Sequence, residues 1–250
     1  PYVTRVATPF EWSAARLRAA GCDAEWVGHP ALEKLAVNHD RAALRRQFGA
    51  AEDETLVALM PGSRPSEIRL LAPRLAKAAL VSSARPLRFV AVVPNEVARE
   101  ARAQLPSIEV VTDCATELLL AADAAVVKTG TASLEAATAG VPQVAIYDLD
   151  AVTRIEWVLL WAWKRIPHLA MPNIILQRRA VPEVTGPSCT PANIAAALTR
   201  LLNVEAAREQ MLNDYAAIRR ALGSELPLSA TARTAEIVDE MLAARTAAVL

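Results

Sequence analysis

The 250-residue sequence is poor in aromatic residues, at 4%, and has only eight glycines and three cysteines. Cys22, Cys114 and Cys189 are far apart and odd in number, with no CxxC spacing. This argues against a disulfide framework or a cysteine-based zinc site and fits a reducing cytosol. Neither sign of charge is in excess, since Lys+Arg and Asp+Glu both number 27. The chain therefore has no overall basic field to hold nucleic acid and no acidic tail to solvate a partner. No run reaches the ~18 apolar residues that a membrane-spanning helix needs. There is no signal-peptide pattern, internal repeat or low-complexity segment. The chain opens on Pro1 rather than Met, and residues 1–10 read like the middle of a protein, which points to a fragment or a processed chain.

Hydrophobic residues make up 53% of the chain and charged residues 22%, a globular balance. Short, continuous apolar runs alternate with helical patterns. Extended runs are expected at 24–28, 56–60, 88–93, 108–111, 124–127 and 143–147. Helices are expected from the Asp40 cap through Phe48, then over 66–82, 95–104 and 115–121, and over a segment that ends at Gly140. This alternation predicts an α/β fold, a Rossmann-like parallel sheet with helices on both faces. Beyond 150 the pattern is helical, at 151–165, 191–202, 205–221 and 229–246. Pro167, Pro172 and Pro182 interrupt it.

Ligands of doubly wound sheets bind outside the carboxyl ends of the strands. Two loops begin there. In the first, Pro61-Gly62-Ser63-Arg64-Pro65-Ser66-Glu67, Gly62 permits a tight turn and Ser66 can cap the following helix. The backbone N–H groups form an anion site, and Arg64 can grip a phosphate with two prongs. A plain strand-to-helix turn with a solvated Arg64 accounts for the same spacing equally well.

In the second, Lys128-Thr129-Gly130-Thr131-Ala132-Ser133-Leu134-Glu135, the amides of Thr129, Gly130 and Thr131 can face a diphosphate at a helix opening. Glu135, one turn on, can accept hydrogen bonds from ribose hydroxyls. Ordinary capping by Thr131 explains any one of these residues, but not two phosphate-suited loops on one sheet edge. Neither GxxxxGK[ST] nor, in the first loop, GxGxxG is present, which excludes a P-loop and disfavours a dinucleotide site. Asn173, between Pro172 and an apolar run, offers either a specific polar contact or a simple Asn turn.

Five segments in order resemble lipid-A-disaccharide synthase, a family of GT-B glycosyltransferases. They are PFEWSAARLRAAGCDAEWVGHP at 9–30, LMPGSRPSEIRLLAP at 59–73, TGTASLEAATAGVPQVAIY at 129–147, MPNIILQRRAVPE at 171–183 and, more weakly, ALGSELPLSATARTAEIV at 221–238. The resemblance covers about the second half of a two-domain family member. It implies the donor-binding half of an inverting transferase that moves an acylated glucosamine from UDP to a lipid sugar acceptor, with no metal or other cofactor. On that analogy Gly62, Ser63, Arg64 and the Thr129, Gly130 and Thr131 amides hold the diphosphate. Glu135 holds the ribose, Asn173 contacts the donor, and the catalytic base lies in the other half.

The implied organisation is a remnant of the first domain and hinge at 1–30, the nucleotide-sugar domain at 31–204, and helices at 205–250 that pack back on the other domain or on a second subunit of a homodimer. His29 is read as part of the hinge turn. Lys128 replaces the usual small residue, as a phosphate contact or, preferably, a solvated charge. Val184-Thr185-Gly186 also departs from the family pattern. Trp157, Trp161 and Trp163 beside Lys164 and Arg165 suit either a core helix or peripheral attachment to the inner face of a membrane, in an otherwise cytoplasmic protein. Two other readings stay open. One is a different UDP-sugar enzyme of the same fold, an N-acetylglucosamine transferase or an epimerase. The other is a non-catalytic nucleotide-sugar-binding module.

Overall fold

The computed structural model describes residues 3–35, 40–81, 86–149 and 167–247. The expected helix at 151–165, with Trp157, Trp161 and Trp163, lies outside the described residues. In chain order the elements are β1 (Val6–Thr8), α1 (Glu11–Ala19), β2 (Ala24–Trp26), α2 (Arg41–Gln47), β3 (Thr55–Met60), α3 (Pro65–Val81), β4 (Leu87–Val93), α4 (Ala98–Gln104), β5 (Glu109–Thr112), α5 (Ala115–Ala121), β6 (Ala124–Lys128), α6 (Thr131–Thr138), β7 (Gln143–Tyr147), α7 (Met171–Leu176), β8 (Glu183–Thr185), α8 (Pro191–Asn203), α9 (Glu205–Ala221) and α10 (Ala230–Ala247). Among the described residues no helix is long and apolar enough to cross a membrane.

The chain divides into two compact units, residues 1–37 with 216–250, and residues 38–215. Both boundaries differ from the 30/31 and 204/205 divisions expected above, and the second falls inside α9.

In the first unit β1 and β2 pair in parallel. Arg233 of α10 donates to both carboxylate oxygens of Glu25 and to Glu240, which also accepts from Arg5. The His29 amide donates to the Leu222 carbonyl at 2.8 Å, and its Nδ1 accepts from the Ala31 amide at 3.0 Å. Residues 28–31 therefore form a fixed turn, and burial holds the His29 pKa below its ordinary value.

The second unit is built on a six-stranded parallel sheet in the order β5-β4-β3-β6-β7-β8. Side chains alternate across a strand, so β3 serves two cores. Leu56, Ala58 and Met60 join Phe48, Val90, Leu118, Leu119 and Val127 on the face covered by α2 and α5. On the other face α3 packs beside α8, burying Ile68, Leu71, Leu75, Ile194 and Leu198. Helices thus cover both faces, as the apolar runs predicted. Asp40 caps α2 by accepting from the Ala42 and Ala43 amides, as expected. Gly140, at φ +76°, closes α6 with bonds from the Gly140 and Val141 amides back into the helix.

Candidate functional site at the sheet's switch point

The chain runs outward from β3 through β4 to β5, then returns to the other side of β3 and continues through β6, β7 and β8. The strand order therefore reverses between β3 and β6, and a ligand crevice is expected above that pair. The two loops selected from sequence are the ones that leave the carboxyl ends of β3 and β6. In the register of the sheet, Met60 lies beside Val127 and Lys128 beside Ile146. Topology thus brings Gly62-Ser63-Arg64 and Thr129-Gly130-Thr131 to adjacent positions on one edge.

The first loop folds around a residue not assigned to the site from sequence. Pro65, Ser66 and Glu67 are the first three residues of α3, so Ser66 lies inside the helix and does not cap it. Glu67 does: its Oε2 accepts from the Ser63 amide at 2.9 Å and the Arg64 amide at 3.3 Å. A third-position Glu reaching back to the cap amide is half of a capping box, and proline suits the first helical position, held here by Pro65. Gly62 has φ +125°; a Cβ there would collide with Glu67 Oε2 and lie 2.7 Å from Glu67 Cβ. The backbone lies so close to the side chain that only glycine fits. The Ser63 and Arg64 amides, expected to form an anion site, are therefore already engaged by an internal carboxylate. The Arg64 side chain is 78% exposed and only loosely paired with Glu67, at 3.8 Å.

The second loop also differs in detail from expectation. The Thr129 amide continues the sheet by donating to the Ile146 carbonyl at 2.9 Å, and Thr129 is buried. Gly130, not Thr131, is the N-cap of α6, at φ 119° and ψ −147°. That conformation is essentially confined to glycine. Thr131 and Ala132 open the helix, where amides have no intrahelical partner. Thr131 is exposed and Glu135 half-buried one turn in. Ser133 is fully buried; its Oγ donates to the Gly130 carbonyl and accepts from the Met171 amide.

Lys128 is not a freely solvated charge. Its Nζ lies 3.0 Å from Glu67 Oε1, 6.0 Å from the Tyr147 ring centroid and 3.8 Å from where a Cβ on Gly130 would stand. Burial would raise the Glu67 pKa, but Lys128 and the two loop amides outweigh it and hold the carboxyl below its ordinary range. Burial, followed by the charges of Glu67 and Asp148, pushes the Tyr147 phenol up. The buried Asp148 carboxylate is paired with Arg74 at 2.7 Å. The edge thus carries Arg64, Lys128 and Arg74 against Glu67 and Asp148.

Asn173 is fully buried in α7. Its Oδ1 accepts from the Ala180 and Val181 amides at 2.7 and 2.8 Å. Its Nδ2 donates to the Val181 carbonyl at 2.9 Å and to Glu183 Oε1 at 2.8 Å. All four hydrogen-bonding positions of the amide are taken, so the side chain latches the 170–183 segment and has none left for a ligand. Glu183 Oε1 also accepts from the Leu169 and Ala170 amides at the opening of α7. The divergent Val184-Thr185-Gly186 stretch completes β8 beside β7 and enters a one-turn 3₁₀ helix.

The family model described as lipid-A-disaccharide synthetase matches residues 6–238. A lipid-A-disaccharide synthase of Syntrophus aciditrophicus is 31% identical over 88% of this chain and 59% of its own length. The chain spans about three fifths of the curated relatives it matches. Among solved structures it is similar to WaaG, titled a glycosyltransferase involved in lipopolysaccharide biosynthesis, with 15% identity and a TM-score of 0.53 over 86% of this chain and 58% of that one. It is also similar to the S. aureus MnaA–UDP co-structure, with 13% identity and a TM-score of 0.59 over 85% and 56%. At such identities the structural likeness shows the fold, a parallel sheet flanked by helices.

Proposed function

The chain belongs to the lipid-A-disaccharide synthase family, and on that premise we propose that it is the donor-binding half of an inverting glycosyltransferase. The reaction moves an acylated glucosamine from UDP to a lipid sugar acceptor and releases UDP. The observation that carries this reading is the meeting of the two selected loops at the switch point between β3 and β6. Arg64 and the amides that open α6 hold the diphosphate, with Gly62, Ser63 and Thr129 setting the backbone on either side. Positive charge and helix-opening amides aimed at the diphosphate stabilise the charge that develops on the leaving UDP. Glu135 accepts from the ribose hydroxyls. Asn173 acts on the donor indirectly, by shaping the segment that ends in Glu183. Lipid substrates favour peripheral attachment at the cytoplasmic face of the inner membrane, through Trp157, Trp161 and Trp163, and the 205–250 helices pack back on the other domain or on a second subunit.

Isothermal calorimetry with UDP tests the reading. The folded chain binds UDP, and Glu135→Ala weakens that binding more than Glu183→Ala does. A folded chain that binds no UDP at millimolar ligand refutes it. Product analysis with lipid and non-lipid sugar acceptors, using the complete enzyme, separates lipid-sugar transfer from epimerisation and other UDP-sugar chemistry.

A further inference from the structure

Lys128 stands at the carboxyl end of β6, directly before the loop that opens α6. A lysine at such a position normally extends into water, because its ammonium is strongly hydrated. Here the side chain is 23% exposed and runs back across the edge to Glu67, itself 16% exposed. The Glu67 carboxylate is fixed on its other side by the Ser63 and Arg64 amides, and Gly62 packs against its stem. The ammonium is therefore held in one place by an acceptor that is itself held. That place is beside Gly130, within 3.8 Å of the position a Cβ would occupy there.

We propose that Lys128 is a diphosphate-binding residue of this chain, aimed across the opening of α6 by the fixed carboxylate of Glu67. The assignment rests on the donor-site reading above and adds to it a residue not given a role there. An ammonium has three protons, and one carboxylate oxygen leaves the others for a phosphate. Glu67 cannot also be the anion's competitor in a simple exchange, because Gly62 closes over its stem and its other oxygen bridges two amides. It is a positioning residue. A phosphate at the α6 opening would face Lys128 from one side and Arg64 from another, with Arg74 already neutralised by Asp148.

The test compares UDP with uridine by calorimetry on the 250-residue chain and its variants. Lys128→Met is expected to weaken UDP binding by about ten- to a hundredfold, the range of one charge-assisted hydrogen bond, and to leave uridine binding unchanged. Lys128→Arg retains most of the UDP affinity, which separates lost charge from lost folding. Glu67→Gln keeps an acceptor for the two amides but loosens the ammonium, and weakens UDP binding by a smaller factor. UDP binding unmoved by Lys128→Met overturns the assignment, as does tighter UDP binding by Glu67→Gln, which would mean that Glu67 restrains the lysine rather than aims it. A folded wild-type chain that binds neither ligand refutes the donor-site reading itself, and this assignment with it.

Discussion

Replacing Asn173 with alanine should loosen the second unit by an amount set by four hydrogen bonds. In the native structure Asn173 Oδ1 satisfies the Ala180 and Val181 amides, and Nδ2 satisfies the Val181 carbonyl. The Val181 amide and carbonyl lose their partner in N173A, while the Ala180 amide keeps the Arg178 carbonyl at 3.0 Å. Glu183 Oε1 loses one donor but keeps the Leu169 and Ala170 amides. A buried polar group left unsatisfied costs about 1–3 kcal/mol. Two such groups, with some relief from water entering the vacated space, give about 2–4 kcal/mol, toward the upper end for single substitutions. Because the chain has two units, a single global transition is not the right measure. Hydrogen exchange of peptides covering β6 and β7, in the same unit as Asn173, reads the relevant free energy. At about 1.4 kcal/mol per factor of ten, protection there should fall by roughly one and a half to three orders of magnitude. N173D keeps both accepted bonds but sets a second carboxylate against Glu183 across the 2.8 Å now bridged by Nδ2. Its folded pKa is raised, so its destabilisation should grow as pH rises through the ordinary carboxylate range. A loss of protection below about fivefold in N173A would refute the latch.

Gly62→Ala forces a side chain into the φ +125° conformation and into the Glu67 carboxylate. Backbone strain alone costs about 1–3 kcal/mol. The melting transition of the 38–215 unit should fall by about 3–10 °C, and the Ser63 and Arg64 amides should exchange faster in mass-spectrometric hydrogen exchange. Asp123 accepts from Arg41 at 2.6 Å, from Arg45 at 2.7 Å and from the Leu56 amide at 2.8 Å. Burial would raise its pKa, but Arg45, the Leu56 amide and Arg41 outweigh it and leave it below the ordinary value. Its folded pKa is thus depressed, so its contribution is complete above the unfolded value of about 3.9 and is lost as pH falls through the folded value. Asp123→Asn should therefore cost about 1.5–3 kcal/mol at neutral pH and flatten the acid limb of stability measured by urea titration between pH 5 and pH 2.

The strands of the second unit were legible because they are buried on both faces. LVALM, FVAVV, AAVV and VAIY are continuous apolar runs of strand length, and each lies in a strand of the parallel sheet. Helix ends were legible where a single residue decides them, as at Asp40 and Gly140. β8 was not, because only Val184 of its three residues is buried and the segment has no apolar run. β1 and α1 gave little signal for a similar reason: Ala14 is the only buried residue of α1, so no apolar stripe marks its inner face. The association of 1–37 with 216–250 depends on contacts between distant stretches, such as Arg233 with Glu25. Local periodicity carries no information about such pairs.

The loops show the same limit in finer detail. Position at a sheet's carboxyl edge follows from strands that run parallel, and the alternation of apolar runs with helices was enough to select both loops. Which amides remain for a ligand does not follow, because it depends on where nearby side chains turn. The pattern Arg64-Pro65-Ser66-Glu67 contained the clue, a proline at the first helical position and a carboxylate two residues later. Third-position Glu reaches back to the cap, so this pattern by itself points the Glu67 carboxylate at the loop amides. The consequence is chemical. A loop whose amides already hold a carboxylate offers an arriving anion only its side-chain charge, so Arg64 carries the first loop's part in any phosphate contact. The Glu67 charge would repel that anion if it stood alone. Lys128, 3.0 Å away, offsets it and shifts the positive end of the pair toward Gly130. If the edge holds a diphosphate as proposed, its attraction for that anion depends on an internal ion pair whose two members come from the loops on either side of the switch point.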